Sequence, residues 1–147
     1  MVEAQKRRFR QIFTIELDAR LYERAVARFR ADRHVVVLQG DSGRLLPEVI
    51  SRLEGPTLFW LDGHYSGGLT ARGESDTPVV QELAAILADP SSRHVVLIDD
   101  ARCFGSGDYP SVDEIRRRVQ LARPGWNVQV EDDIIRIHAQ APASTGP

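Results

Sequence analysis

Five carboxylates follow short apolar runs in this chain. Glu16 closes "QIFTIE", Asp41 follows "HVVVLQG", Asp62 follows "TLFWL", and Asp99 and Asp100 follow "HVVLI". Ligands of open α/β sheets bind outside the carboxyl ends of the strands. A row of acids there is costly unless cations, hydroxyls or amides receive it. Glu16 has the character of an acid that accepts hydrogen bonds from ribose hydroxyls. Asp41 could accept a proton from an amino group such as that of adenine. Asp62, Asp99 and Asp100 supply three hard oxygen donors suited to a magnesium-like cation. His64 follows Asp62 in a glycine-flanked loop, where it could act as a general base near neutral pH. The plain alternative is helix capping, which explains Asp18 and is open for Asp41 or Ser42, with Ser42 the better cap. His34 and His94 open strands and read as structural, and Cys103 has no identifiable nucleophile's partner.

These side chains need elements to place them. The runs 11–16, 34–39, 57–61 and 94–98 are continuously apolar and rich in β-branched residues, as parallel strands covered on both faces are. Helical patterns lie between them. Residues 19–31 set Tyr22, Ala25, Val26 and Phe29 on one face. Residues 44–53 follow, with Pro47 near the helix start. In 78–88 the stripe is Val79, Val80, Leu83, Ala84 and Leu87, with Pro78 in the first turn. Ser111 and Glu114 form a capping box for a helix over 112–122. "WNVQVE" and "IIRIH" then read as a hairpin turning at Asp132 and Asp133. The order predicts an α/β fold with a mostly parallel, doubly wound sheet and a C-terminal antiparallel hairpin. Residues 1–138 are expected to form the domain, and 139–147 a disordered tail.

Composition narrows the function. The chain has 147 residues, 42% hydrophobic and 27% charged, with net charge -2, which argues against a dedicated nucleic-acid binder. The arginines of "RLYERAVARFRADR" fall opposite the apolar stripe and read as its solvated face. Lys6 is the only lysine among 19 basic residues, a bias that hints at a GC-rich bacterial genome. No apolar run approaches a membrane span, and the N-terminus is not a secretory signal. A lone cysteine makes a reducing cytoplasm the expected setting.

Taken together, "IFTIELDARLYERA", "VVLQGDSGRLLPEV", "LFWLDGHYSGG" and "HVVLIDDAR" resemble the later motifs of class I S-adenosylmethionine-dependent methyltransferases. The resemblance runs from about residue 11 to 138 and is nearest to metal-dependent O-methyltransferases of the catechol and macrolide-sugar kinds. It implies a Rossmann-like fold, S-adenosylmethionine as cofactor and a small-molecule hydroxyl as acceptor. It also implies Glu16 at the ribose, Asp41 and Ser42 on the adenine side, Asp62, Asp99 and Asp100 on a divalent cation such as Mg2+, and His64 as base. The family's first strand and the glycine-rich loop after it have no counterpart here, so the chain reads as such an enzyme beginning inside its first helix, "MVEAQKRRF". The absent strand would lie between those ending at Glu16 and Asp62. Those two strands should then pair directly, or leave an open edge prone to association, including with a second copy.

Two other readings compete. A Mg-dependent phosphatase or phospho-receiver would need a lysine near the phosphate, and Lys6 lies in an N-terminal helix. A non-catalytic remnant or binding module would keep the acids without binding cofactor.

Overall fold

The computed structural model describes residues 1–62, 78–91 and 93–140. A short helix α1 (Val2–Gln5) leads into strand β1 (Ile12–Glu16). Helix α2 (Ala19–Phe29), β2 (Val35–Gln39), α3 (Ser42–Ile50) and β3 (Leu58–Leu61) follow. Then come α4 (Val79–Ala88), β4 (Val95–Ile98), a 3-10 turn (Ala101–Cys103), α5 (Val112–Ala122), β5 (Trp126–Glu131) and β6 (Ile134–Ala139). The alternation of strand and helix is the expected one, and no helix among the described residues is long and apolar enough to cross a membrane.

Among the described residues the strands form two sheets. β1 and β2 pair in parallel, and a four-stranded sheet has the order β3-β4-β6-β5. In the latter β3 and β4 are parallel, whereas β6 runs antiparallel to both β4 and β5. Asp132 and Asp133 turn the β5–β6 hairpin with φ of 53° and 61°, a left-handed pair that short-side-chain Asp tolerates in tight turns. Of the two expected arrangements, direct pairing of β1 with β3 does not form among the described residues.

Local signals explain the helix starts. Asp18 caps α2 by accepting from the amides of Arg20 and Leu21, both at 2.9 Å. The Ser111–Glu114 capping box closes reciprocally on α5. Three expectations need correction. Helix α3 begins at Ser42 rather than at 44, which puts Pro47 in mid-helix, where the bond to the Gly43 carbonyl cannot form. Only Val2–Gln5 of "MVEAQKRRF" is helical, with no side-chain cap and no buried residue to extend it. Pro78 is the N-cap of α4 rather than inside its first turn.

The core lies against the four-stranded sheet. Val96, Ile135, Ile137, Ile86, Ile115 and Val119 are fully buried there, from β4, β6, α4 and α5. Leu46, Val49 and Ile50 of α3 join the same cluster. The helix stripes differ in detail from the expected ones: Val26 is 41% exposed, Ala84 is exposed, and Ile86 takes the central place on α4. His94 is structural, as its position suggested. Its Nδ1 accepts from the Thr57 amide at 3.2 Å, so Nε2 carries the proton and donates to Asp89 at 3.1 Å. His34 Nε2 likewise bonds to the Lys6 carbonyl at 2.7 Å.

Candidate functional site

Between the two sheets lies a cavity of about 1070 Å³. Its carboxyl end gathers Glu16, Asp41, Ser42, Asp62, Pro78, Gln81 and Glu82. The sequence there forces the chain to turn sharply. Gly40 sits at φ +143°, and a Cβ on it would come within 2.9 Å of Leu45, so only glycine suits the step from β2 to α3. At Gly43 a Cβ would meet Gln81 Oε1 at 2.5 Å. The start of α3 therefore packs backbone-close against α4.

Each predicted residue has a definite place. Glu16 ends β1, and its carboxylate accepts from the Asp18 amide at 3.1 Å. Asp41, not Ser42, is the N-cap of α3, accepting from the Arg44 amide at 3.1 Å. Asp41 wins because its extended backbone (φ -73°, ψ 125°) ends β2's approach, whereas Ser42 is already helical. Ser42 lies next to Glu82, whose ionised form its hydroxyl favours. Asp62 stands exposed at the end of β3. Asp99 is beside it in the sheet, its amide donating to the Leu61 carbonyl at 3.0 Å.

The structure does not bring the three proposed metal ligands together. Asp99 and Asp100 are absent from the cavity lining. Asp99 Oδ1 accepts from the Asp100 amide at 2.9 Å. Asp100, in left-handed conformation (φ 56°), pairs with Arg102 at 2.6 Å, and Arg102 also binds Asp133. Among the described residues no three His, Cys, Asp or Glu side chains gather so that they could hold a metal ion. His64 lies outside the described residues.

Glu82 was missed by the sequence reading. It occupies a helix position on the edge of an apolar stripe and is only 4% exposed. Burial pushes its carboxyl above the ordinary range; the Ser42 hydroxyl opposes this and the charge of Asp41 adds to it. The signal available was the Asp41-Ser42-Gly43 turn, whose glycine allows α4 to approach. A neutral carboxyl beside an acid and a helix N-terminus can donate one hydrogen bond and accept another.

No family model and no curated protein matches the chain. Among solved structures it is similar to a protein assigned as an rRNA methylase from Clostridium thermocellum. That likeness has TM-score 0.47 and 12% identity, covering 86% of this chain and 73% of the other. It is also similar to one assigned as a caffeoyl-CoA O-methyltransferase from Staphylococcus aureus. There the TM-score is 0.49 and the identity 15%, over 89% of this chain and 65% of the other. At these values the likeness carries nothing about substrate or site.

Proposed function

We propose that the chain is a class I S-adenosylmethionine-dependent methyltransferase domain acting on a small-molecule hydroxyl. The observation that carries this reading is the convergence of Glu16, Asp41 and Ser42 at the carboxyl end of one cavity. These groups fit a nucleoside. Glu16 would accept from the ribose hydroxyls and Asp41 from the adenine amino group, while the α3 N-terminus lies alongside. When bound, S-adenosylmethionine would supply an electrophilic methyl group. His64 would take the acceptor's hydroxyl proton as the oxygen attacks in line. Asp62 would sit at the reacting end of the cavity. The carboxylates as arranged do not fit a metal, because Asp100 is held by Arg102, and no step is assigned to one.

The open cavity favours a second reading, in which these 147 residues alone bind cofactor weakly or not at all. The backbone amides that would hold the methionine part of the cofactor belong, in the proposal, to a glycine-rich segment ahead of Met1. Calorimetric titration with S-adenosylhomocysteine of this chain, and of a chain extended upstream of Met1 through such a segment, tests both. The extended chain should bind at micromolar concentration, and Glu16→Ala in it should weaken binding at least about tenfold, the worth of one charge-assisted bond. An extended chain that ignores the ligand would end the methyltransferase reading. Micromolar binding by the short chain would show the added segment to be dispensable.

A further inference from the structure

The net charge of -2 hides a division along the chain. Residues 1–34 hold nine lysines and arginines against five acids, whereas residues 35–147 hold ten against sixteen. Asymmetry of this kind suggests contact with nucleic acid or a charged surface through the basic part. The excess is concentrated on α2, whose solvent side carries Arg20, Arg24 and Arg28. Residues four apart are neighbours on a helix surface, so the three form one row along its length. Arg30 and Arg33, both exposed, follow its end.

A merely solvated face is built differently. On other elements an acid stands at hand: Arg52 pairs with Glu48 on α3, Arg116 with Asp113 on α5, and Arg136 with Glu131 and Asp132 on the hairpin. On α2, Arg20 and Arg24 form no ion pair among the described residues, and Arg28 pairs with Glu3, which Lys6 also engages. Like charges four residues apart oppose the helix. Arg20 also places a cation in a first turn that holds no acid, against the helix dipole. The row is therefore kept at a cost to the helix that carries it. None of these arginines lines the cavity, so a segment entering between β1 and β3 leaves them uncovered.

We propose that this face of α2 is a docking surface for the phosphate backbone of a nucleic-acid strand, held without regard to base sequence. The row advances about 6 Å per arginine, four residues at a rise of 1.5 Å each. A regular line of cations suits a polymer that carries a regular line of anions. Guanidinium forks bond phosphate oxygens two at a time. A membrane surface fits less well, because a helix lying on lipid inserts its apolar face. That face of α2 is turned to β1 and β2, with Phe29 buried. The proposal does not depend on the enzymatic reading.

Fluorescence anisotropy of a labelled single-stranded RNA of mixed sequence, titrated with the full chain at about 50 mM salt, tests it. The chain should bind, with a log–log salt slope of about -2, from three phosphate contacts at about 0.7 each. Arg20→Gln with Arg24→Gln should weaken binding at least about tenfold and flatten that slope by about 1.4. Glutamine is a good helix former, so α2 keeps its fold. The control removes the same charge from exposed positions of α5, Arg117→Gln with Arg118→Gln, and should bind as the parent does. Equal loss in the two pairs would reduce the effect to net charge and overturn the proposal. So would no binding at that salt, or firmer capture by phosphatidylserine vesicles than by RNA through the same two arginines.

Discussion

The two sheets differ in how they are buried, although their strands look alike in sequence. "QIFTI" and "HVVLI" are both short apolar runs. Yet β4 carries Val96 and Ile98 at 0% and 2% exposure, while no residue of β1 is buried. The four-stranded sheet is covered by α4 and α5 and contains the fully buried residues. Of α2, β1 and β2, Phe29 and Val35 are buried, while Phe13, Ile15 and Leu38 are partly buried against the core. β3 shows both regimes: Phe59 and Leu61 are buried, whereas Leu58 is 38% exposed. Apolar character is thus not burial. A strand's residues are buried when the faces they point to are covered, and β1, with no neighbour on one edge among the described residues, has neither face fully covered.

The sharpest way to break this comparison is to cut the same side chain in each half. Ile137→Ala, in the fully buried β6 position, should cost about 2–5 kcal/mol, including the cavity it leaves. Ile15→Ala on β1 should cost well under half of that, because a partly exposed side chain loses less on truncation. Urea unfolding of both variants gives the answer, and equal losses would mean that β1 is packed as tightly as β6.

Glu82 sharpens the comparison at the junction of the halves, where α4 meets the start of α3. A carboxyl raised by burial contributes its full stability below its ordinary value of 4.5, and that contribution is lost as pH rises through its folded value. The facing groups are Asp41, which raises it further, and Ser42, which lowers it. Glu82→Gln should therefore match the parent near pH 4 and become the more stable of the two as pH rises. Thermal unfolding across that range checks it. Parallel curves would show that Glu82 is not held neutral.

The smallest expected effect compares the two caps. Asp18→Ala on α2 and Ser111→Ala on α5 each remove the side chain that holds the first-turn amides, worth about 1 kcal/mol. Ser111→Ala should lower the global unfolding midpoint. Asp18→Ala should act mainly on hydrogen exchange in α2, β1 and β2, if that half opens before the rest.

Much of this was legible in the chain itself. The six strands among the described residues stand where apolar runs and the Asp132–Asp133 turn put them, because period and turn chemistry are local properties. Asp18 and the Ser111–Glu114 box were readable for the same reason: a cap answers to amides two or three residues away. The position of Glu16, Asp41 and Asp62 at strand ends also followed from the sequence, since a carboxylate after an apolar run must leave the sheet. What tertiary structure alone decided lies between elements distant in sequence. Asp41 rather than Ser42 caps α3 because the chain leaves β2 extended at Asp41 and is already helical at Ser42, and α4 brings Glu82, forty residues on from Ser42, to the same turn. Asp100 pairs with Arg102, which the β5–β6 hairpin also engages through Asp133. The cavity between β1 and β3 is likewise invisible in either strand's sequence. It depends on which edges find partners, and hydrogen-bond pairing across a sheet is fixed only when the whole chain has packed.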